Sequence, residues 1–288
     1  MSRRKIIAAE TSGFDAYSPA QMAARVESVG VAKAALPLVP LLALGVLAGA
    51  FIAFGAMLYI LVVAGAPAGV GPLRLLGGVA FSLGLVLVVV GGAELFTGNN
   101  LIAMAWADRR ITTRALLRNW LLVYVANFAG AVAMAWLVYR SGHFTLGGHA
   151  VGVEVLRLGI AKAELPFAEA FIRGLLCNVL VCLAVWLSYA ARDVAGKILA
   201  IVFPISAFVA LGFEHSVANM YLLPAALFAA GDPSVVAAAG ISDAGLATLD
   251  LAAIARNLVP VTLGNIVGGT VLVALVYYLV YLRGQRRS

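Results

Sequence analysis

His215 is the side chain in this sequence with the clearest potential for chemistry. It stands in the stretch GFEHS at residues 212–216, inside a long apolar segment, whereas His143 and His149 lie between apolar segments. A lone buried histidine is more often a hydrogen-bonded core residue, but the adjacent Glu214 and the interrupted apolar pattern favour a functional role. Imidazole can donate a hydrogen bond to an anion or exchange a proton with it near neutral pH.

A second polar interruption occupies residues 94–100, with the sequence ELFTGNN, inside another long apolar segment. Unwound backbone is tolerated at membrane depth only where it lines a cavity or is buried in protein. The helix N-terminus that follows such a break carries partial positive charge, which suits an anion. Glu94 and Glu214 are predicted to be structural, because a bare carboxylate facing an anion path would repel the permeant species.

The composition identifies the chain of 288 residues as a membrane protein. Hydrophobic residues make up 63% of it, charged residues make up 11%, and the mean hydropathy is +1.02. A soluble protein needs roughly a quarter of its residues charged to cover its surface. Runs long enough to cross about 30 Å of hydrocarbon occur at residues 36–64, 76–106, 119–139, 167–190, 198–229 and 258–282. The predicted fold class is therefore an all-α integral membrane protein with six transmembrane helices, of which the second and fifth are broken.

Basic residues set the predicted orientation. The net charge is +7, but Lys and Arg lie between apolar segments and at the termini, which is typical of topology signals and not of nucleic-acid binding. If the N-terminus is cytoplasmic, that side holds 14 of the 20 basic residues, namely Arg3, Arg4, Lys5, Arg25, Lys33, Arg109, Arg110, Arg114, Arg118, Arg192, Lys197, Arg283, Arg286 and Arg287. Both termini are predicted to be cytoplasmic, in a bacterial inner membrane.

The two halves of the chain resemble each other at three places in the same order. AKAALP at residues 32–37 matches AKAELP at 161–166, and the two other matched sets keep identical internal spacing: Gly92, Glu94 and Asn99 with Gly212, Glu214 and Asn219; Arg118, Asn119, Asn127 and Gly130 with Arg256, Asn257, Asn265 and Gly268. This pattern predicts a 3+3 duplication. Because three is odd, the second half must cross the bilayer in the opposite sense, which is the inverted-repeat plan of many transporters.

The predicted boundaries follow from this duplication. Residues 1–30 form a cytoplasmic N-terminal segment, in which Ser18-Pro19 and an apolar face at Met22, Val26 and Val29 predict an amphipathic helix at the membrane surface. A first three-helix repeat at 31–140, a periplasmic linker at 141–166, a second repeat at 167–283 and a cytoplasmic tail at 284–288 complete the chain. Cys177 and Cys182 are expected to be small core residues, and neither a metal nor a cofactor is predicted.

Four stretches together resemble the formate/nitrite transporter family over essentially the whole chain. They are AELFTGN at 93–99, CNVLVCLAVW at 177–186, GFEHSVANMY at 212–221 and NLVPVTLGN at 257–265. The resemblance implies an aquaporin-like fold assembled as a homopentamer, with one pore in each protomer. It also implies that an Ω-shaped loop at 95–100 breaks the second segment and that the fifth segment is broken at the histidine.

The resemblance also assigns roles to single residues. The central pore site falls on His215, its hydroxyl partner on Thr97, the pore asparagine on Asn178 and the vestibule lysine on Lys162. The implied constrictions are Phe81 and Phe208 on the outer side and Leu85, Leu95, Phe96 and Val181 on the inner side. The implied supporting network consists of Glu94, Glu214, Asn99, Asn219 and Asn265.

These roles predict how a weak acid would cross. Hydrophobic rings exclude hydrated ions because an anion crossing them dry pays a large desolvation cost. Lys162 would attract the anion, whose pKa rises as it enters the apolar throat, and the neutral acid would then pass. Whether His215 supplies the proton, or binds the permeant species with Thr97 while water supplies it, stays open. A proton role predicts that His215→Asn or His215→Ala changes the pH dependence of uptake.

Several functions remain in competition. Formate is the favoured substrate, with nitrite, hydrosulfide and lactate as alternatives that share the pore chemistry. A neutral-solute channel of the aquaporin type would be expected to carry paired Asn-Pro-Ala boxes, which this sequence lacks. A haem-bearing membrane enzyme subunit needs facing axial ligands, and a single histidine within the apolar segments does not supply a pair. The chain is therefore predicted not to be an enzyme.

Overall fold

The computed structural model describes residues 15–66 and 71–284, and every regular element within them is a helix. Most of the N-terminal stretch before α1 and the tail beyond Gly284 lie outside the described residues. Five helices are long and apolar enough to cross a membrane: α2 (Leu38–Val63), α3 (Pro72–Gly91), α5 (Thr113–Arg140), α7 (Phe167–Ser188) and the long helix Leu251–Leu282. The last begins as α12 (Leu251–Ile266) and continues in π-helical turns at Val267–Leu275 and Tyr278–Leu282.

Shorter helices fill the remainder. They are α1 (Pro19–Ala34), α4 (Ala103–Ala107), α6 (Ala150–Ala163), α8 (Val194–Ala210), α9 (Ser216–Ala230), α10 (Pro233–Ala239) and α11 (Asp243–Leu246), with 3₁₀ turns at Gly98–Ile102 and His143–Thr145. The bent pair α9 and α10 would bring the count of possible spans to six by length and composition. The predicted fifth segment, 198–229, corresponds to α8 and α9 with a non-helical stretch between them.

The helix starts follow from local hydrogen bonding. The N-cap side chains of Thr112, Asp193 and Asp250 accept the backbone N–H three residues later, at 3.1, 2.6 and 2.6 Å, and so begin α5, α8 and α12. Such caps satisfy backbone donors that have no partner within the helix. Asp250 also explains why α12 starts at Leu251, seven residues before the predicted segment at 258.

The apolar face of α1 packs against other parts of the protein. Ser18 and Gln21 form the reciprocal capping box that starts the helix, and the helix continues to Ala34 instead of ending at residue 30. Met22 and Val26 pack against a cluster that includes Leu101, Met104 and Trp186. Protein side chains therefore bury the apolar face that the sequence had suggested would lie on lipid.

Corresponding helices of the two halves pack in the same way. α2 packs against α5, and α7 packs against α12. A Cβ on Gly130 would lie 2.1 Å from the Val46 carbonyl oxygen, and a Cβ on Gly268 would lie 2.1 Å from the Leu175 carbonyl oxygen. These two glycines are partners in the sequence repeat, and each allows the close backbone approach that small residues provide between membrane helices. The halves meet where α3 packs against α8 and α5 packs against α9.

Candidate functional site

Both interrupted segments stop their first helix in the same way. α3 is followed by Gly92 with φ 82°, and α8 is followed after one residue by Gly212 with φ 73°. These left-handed conformations favour glycine because it has no Cβ. The residue after each glycine donates its backbone N–H to the carbonyl five residues earlier, at 2.9 and 3.0 Å. The chain then runs without regular helix to the turn Gly98–Ile102 in the first half and to α9 in the second.

Glu94 is held by a cluster of three polar side chains. Its Oε1 accepts a hydrogen bond from Lys33 Nζ at 2.7 Å, and its Oε2 accepts one from Asn99 Nδ2 at 2.7 Å. Asn99 Nδ2 also donates to Asn119 Oδ1 at 3.0 Å, and Asn119 Nδ2 donates to the Lys33 carbonyl oxygen at 3.1 Å. Glu94 is 4% exposed. Its charge is therefore balanced by Lys33, and its carboxylate oxygens are satisfied.

Glu214 stands in the matching cluster of the second half. Its two carboxylate oxygens each accept a hydrogen bond from Lys162 Nζ at 2.9 Å, and Asn219 Nδ2 donates to Oε2 at 2.6 Å. Asn219 Nδ2 donates to Asn257 Oδ1 at 2.7 Å, and Asn257 Nδ2 donates to the Lys162 carbonyl oxygen at 3.0 Å. Both clusters therefore consist of a lysine, a glutamate and two asparagines at corresponding positions. Each glutamate therefore has the cation and the hydrogen-bond donors that a buried carboxylate requires.

A third pair of asparagines ties the breaks to the neighbouring helices. Asn127 Nδ2 donates to the carbonyl oxygens of Gly45 and Glu94 at 2.7 and 2.9 Å, and its Oδ1 accepts from Phe96 N at 2.9 Å. Asn265 makes the equivalent three bonds, to Gly174 O, Glu214 O and Ser216 N, at 2.7, 3.0 and 2.9 Å. Each asparagine thus binds two backbone groups of a break and links them to a carbonyl oxygen of the neighbouring helix, α2 or α7.

Thr97 of the first break meets His215 of the second. Thr97 Oγ1 lies 2.9 Å from His215 Nε2, and the two residues are 0% and 3% exposed. His215 is also the N-cap of α9, where its Nδ1 accepts the backbone N–H of Ala218 at 3.0 Å. An acceptor nitrogen carries no proton, so the neutral imidazole holds its proton on Nε2 and donates it to Thr97. The Thr97 hydroxyl is left with its own proton free to donate.

Asn178 holds the backbone of Thr97 in place. Its Nδ2 lies within hydrogen-bonding distance of three acceptors, Thr97 O at 3.3 Å, Asn100 Oδ1 at 2.7 Å and Asn265 O at 2.7 Å. Cys182 Sγ adds a weak donor to Thr97 O at 3.4 Å. Within the described chain, Asn178 Oδ1 and Ser216 Oγ are buried without a hydrogen-bond partner. Such atoms near the breaks are suited to a water or a small polar solute.

Two cavities lie beside the breaks, and one of them reaches His215. The Glu94 cavity, of about 220 Å³, is lined by residues that include Lys33, Glu94, Leu85 and Leu95. The Glu214 cavity, of about 170 Å³, is lined by residues that include Lys162, Glu214, His215, Phe81 and Phe208. The Phe81 and Phe208 rings meet edge to face, with centroids 5.6 Å apart, and Phe208 lies 5.9 Å from the His215 ring.

Two residues of the implied constriction, Phe96 and Val181, line neither cavity. The Phe96 ring packs edge to face on Trp120 and Tyr124 of α5, with centroids 6.3 and 4.9 Å apart. Val181 is buried within α7. Phe96 thus anchors the first break to α5. Its neighbour Leu95 lines the Glu94 cavity, and its neighbour Thr97 contacts His215.

Sequence reasoning gave no role to several residues of the site. Lys33 was used only in the charge count and in the repeat match, and Asn119, Asn127 and Asn257 were used only to detect the duplication. The signal that could have found them was the repeat itself, since each is the counterpart of another residue in the same network. Arg74, which lines the Glu214 cavity, carried no such signal.

The chain is similar to known membrane transport proteins along nearly its full length. The family model described as "Formate/nitrite transporter" matches residues 20–279. "Formate channel FocA" of Escherichia coli is 41% identical over 276 residues, covering 94% of this chain and 96% of the relative. "Probable formate transporter" of Methanothermobacter thermautotrophicus is 39% identical over 290 residues, covering 94% and 99%. A solved structure described as "Pentameric formate channel with formate bound" matches with a TM-score of 0.80 and 39% identity, covering 85% of this chain and 98% of that one.

Proposed function

Because the chain belongs to the formate/nitrite transporter family, as its motifs predicted, we propose that it passes formate across a bilayer at the contact between Thr97 and His215. The family consists of multi-pass membrane channels and transporters, not enzymes. The observation that carries the proposal is this 2.9 Å contact, which joins the two breaks beside the residues that line both cavities. The formate named in the descriptions of several relatives favours that anion.

We further propose that six crossings form a 3+3 inverted repeat of the aquaporin-like type. The second crossing would comprise α3, the break and the short helices that follow, and the fifth would comprise α8 and α9. The matched networks around Glu94 and Glu214 support this arrangement, because the same side chains perform the same task in each half. An odd number of crossings in each half makes the two networks approach the midplane from opposite sides.

Apolar side chains would form the barrier to ions. Phe81 and Phe208 line the Glu214 cavity, and Leu85 and Leu95 line the Glu94 cavity. A hydrated anion would lose its water between them without polar compensation, which is costly. The neutral form of a weak acid pays much less. The free-energy cost of crossing is therefore lowest when the anion gains a proton on entry and loses it on exit.

His215 would act as a hydrogen-bond donor and not as the acid. Its Nδ1 is engaged by Ala218 N–H, so forming an imidazolium would require that cap to break. Loss of an N-cap costs about 1 kcal/mol. A neutral imidazole that gave up its Nε2 proton would become an anion in a buried site. We therefore propose that His215 polarises Thr97, that the Thr97 hydroxyl contacts the permeant species, and that water supplies the proton.

Assembly and orientation are proposed from the same relatives. The matched solved structure is described as pentameric, and we propose a homopentamer with one pore in each protomer. The distribution of Lys and Arg supports cytoplasmic termini in a bacterial inner membrane. In that orientation the Glu94 cavity opens to the cytoplasm and the Glu214 cavity opens to the outer side.

A stopped-flow flux assay on proteoliposomes tests the proposed substrate. Formate, nitrite, hydrosulfide and glycerol are presented in turn to vesicles that contain the protein and to matched empty vesicles. We expect protein-dependent formate flux and no protein-dependent glycerol flux. Glycerol flux comparable to formate flux would indicate a neutral-solute channel, and nitrite or hydrosulfide flux well above formate flux would replace formate as the substrate.

A further inference from the structure

Lys33 and Lys162 contribute little net charge to the cavities they line. Each forms an ion pair with a buried glutamate, Lys33 with Glu94 at 2.7 Å and Lys162 with Glu214 at 2.9 Å. The two pairs are duplicates with matching asparagine partners. A positive charge that collects anions must therefore come from another residue of each cavity.

Arg74 is that residue in the Glu214 cavity. It lies in the first turn of α3 and is half-buried. Its guanidinium covers the break, since a Cβ on Gly212 would lie 2.7 Å from Arg74 Nη2. Within residues 15–66 and 71–284, Arg74 forms no ion pair with a carboxylate.

Lys197 occupies the equivalent place in the Glu94 cavity. It lies in the first turn of α8, is half-buried and lines the wall together with Lys33 and Glu94. Among the described residues, it too lacks an ion pair. Each cavity thus contains a compensated Lys–Glu pair and one uncompensated cation.

Two other charged groups lie near the Glu214 cavity. Arg173 also lines the Glu214 cavity, but it forms an ion pair with Glu169 at 2.8 Å. Glu154 of α6 and Arg74 both lie near Tyr59 of this cavity, but they form no ion pair with each other. Burial raises the pKa of the Glu154 carboxyl, and the nearby Arg157 opposes this shift, so that carboxyl interacts with Arg157.

We propose that Arg74 and Lys197 are the anion-collecting charges of the two cavities, and that the two repeats exchange them. α3 belongs to the repeat that supplies Glu94, yet its first turn brings Arg74 to the Glu214 cavity. α8 belongs to the repeat that supplies Glu214, yet its first turn brings Lys197 to the Glu94 cavity. The antiparallel packing of α3 on α8 produces this exchange. The inference rests on the proposed function. It assigns the attraction of the anion to Arg74 and Lys197 in place of Lys162.

Removal of the Arg74 and Lys197 charges is expected to weaken the capture of formate by the cavities and to leave its passage through the pore unchanged. A single unpaired charge in an apolar-walled cavity raises the local concentration of an anion, and salt screens that attraction. Removing both charges should raise the half-saturating formate concentration about threefold at roughly 10 mM ionic strength, where the Debye length is about 30 Å. The maximal flux should stay close to that of the wild type.

The test compares Arg74→Gln/Lys197→Gln with Arg110→Gln/Arg256→Gln in proteoliposomes. Removing one charge from each cavity makes the result independent of the orientation in which the protein inserts. The control removes two positive charges that are paired, with Glu27 and Asp250, and that line neither cavity, so it changes the net charge equally. We expect the higher half-saturating concentration only in the first variant. We also expect the difference to shrink at about 0.5 M salt and Arg74→Lys to behave like the wild type.

Two other outcomes would overturn the inference in distinguishable ways. Equal half-saturating concentrations in the two double variants, with normal formate flux in the wild type, would refute the role of Arg74 and Lys197 alone. Absence of protein-dependent formate flux in the wild type would refute the proposed function and the inference with it. Size-exclusion profiles and thermal transitions of the variants check that each has kept its fold.

Discussion

The hydrogen bond from Ala218 to His215 limits the chemistry open to this imidazole. Nδ1 is occupied as an acceptor and Nε2 faces Thr97, so the ring caps a helix and orients a hydroxyl at the same time. The presence of a histidine in this break was plain from the sequence. Its tautomer was not, because the tautomer depends on a backbone N–H whose direction only the fold defines.

Substitutions of His215 should separate its two roles. Asparagine is a good N-cap and can accept the Ala218 N–H in place of Nδ1, whereas alanine cannot. We expect His215→Ala to be less stable than His215→Asn by about 1 kcal/mol, measured as the free energy of unfolding in detergent. Equal stability of the two variants would contradict the capping role.

The pH dependence of formate uptake tests whether His215 is the acid. Uptake should rise as the pH falls, because a larger fraction of formate is protonated. If water supplies the proton, His215→Asn should lower the rate while the profile keeps its shape between about pH 5 and 8. A profile whose midpoint moves in the variant would instead assign the proton to His215. Stopped-flow uptake at a series of pH values measures both.

At the scale of elements, the two breaks are stabilised by duplicated networks. The repeat in the sequence identified Glu94, Asn99 and their counterparts, and their structural role was argued from the repulsion between a carboxylate and an anion. The partnership of Lys33 with Glu94 could not be predicted in the same way. It joins residues 61 positions apart, and a lysine before an apolar segment has an ordinary explanation as a topology signal.

The Lys162–Glu214 pair should behave as a unit. Removing one member leaves a buried charge without a partner, which costs about 3–5 kcal/mol. Lys162→Met should therefore destabilise the protein more than Lys162→Met/Glu214→Gln, in which the glutamine can still accept from Asn219. Thermal transitions in detergent measure the difference. A double variant no more stable than the single one would show that the lysine acts by packing alone.

The breaks also mark where the sequence carries least information about the direction of each side chain. A helical period tells which side chains share a face, but residues 92–97 and 211–215 have no such period. Phe96 illustrates the consequence, since only the fold shows that its ring lies against Trp120 and Tyr124, and its place in a constriction stays a prediction. α1 is a second example, because its apolar face was evident but the protein cluster that covers it was not.

At the scale of the whole molecule, much of the protomer surface is apolar. Exposed large side chains include Phe203 and Leu199 on the shorter apolar helix α8 and Val280 on the long helix Leu251–Leu282, and lipid or neighbouring protomers would cover them. Composition does not distinguish these two environments.

The proposed pentamer gives a direct expectation for this surface. Mild chemical cross-linking of the purified protein in detergent should give a ladder that ends at five protomers, the number in the matched solved structure. Light scattering coupled to size exclusion should give the same protomer number. A ladder that ends at two or three protomers would contradict the homopentamer. It would not contradict the proposal that each protomer has its own pore.

Formate flux through Thr97→Val and Thr97→Ser tests the central claim most directly. Valine matches threonine in shape but lacks the hydroxyl, and serine keeps it. If the Thr97 hydroxyl contacts the permeant acid, its loss removes a hydrogen bond of about 1.5 kcal/mol, which is roughly a tenfold loss of flux. We expect stopped-flow formate flux to fall by about that factor in Thr97→Val and to be largely retained in Thr97→Ser, with both variants folded. Wild-type flux in a folded Thr97→Val protein would contradict the account.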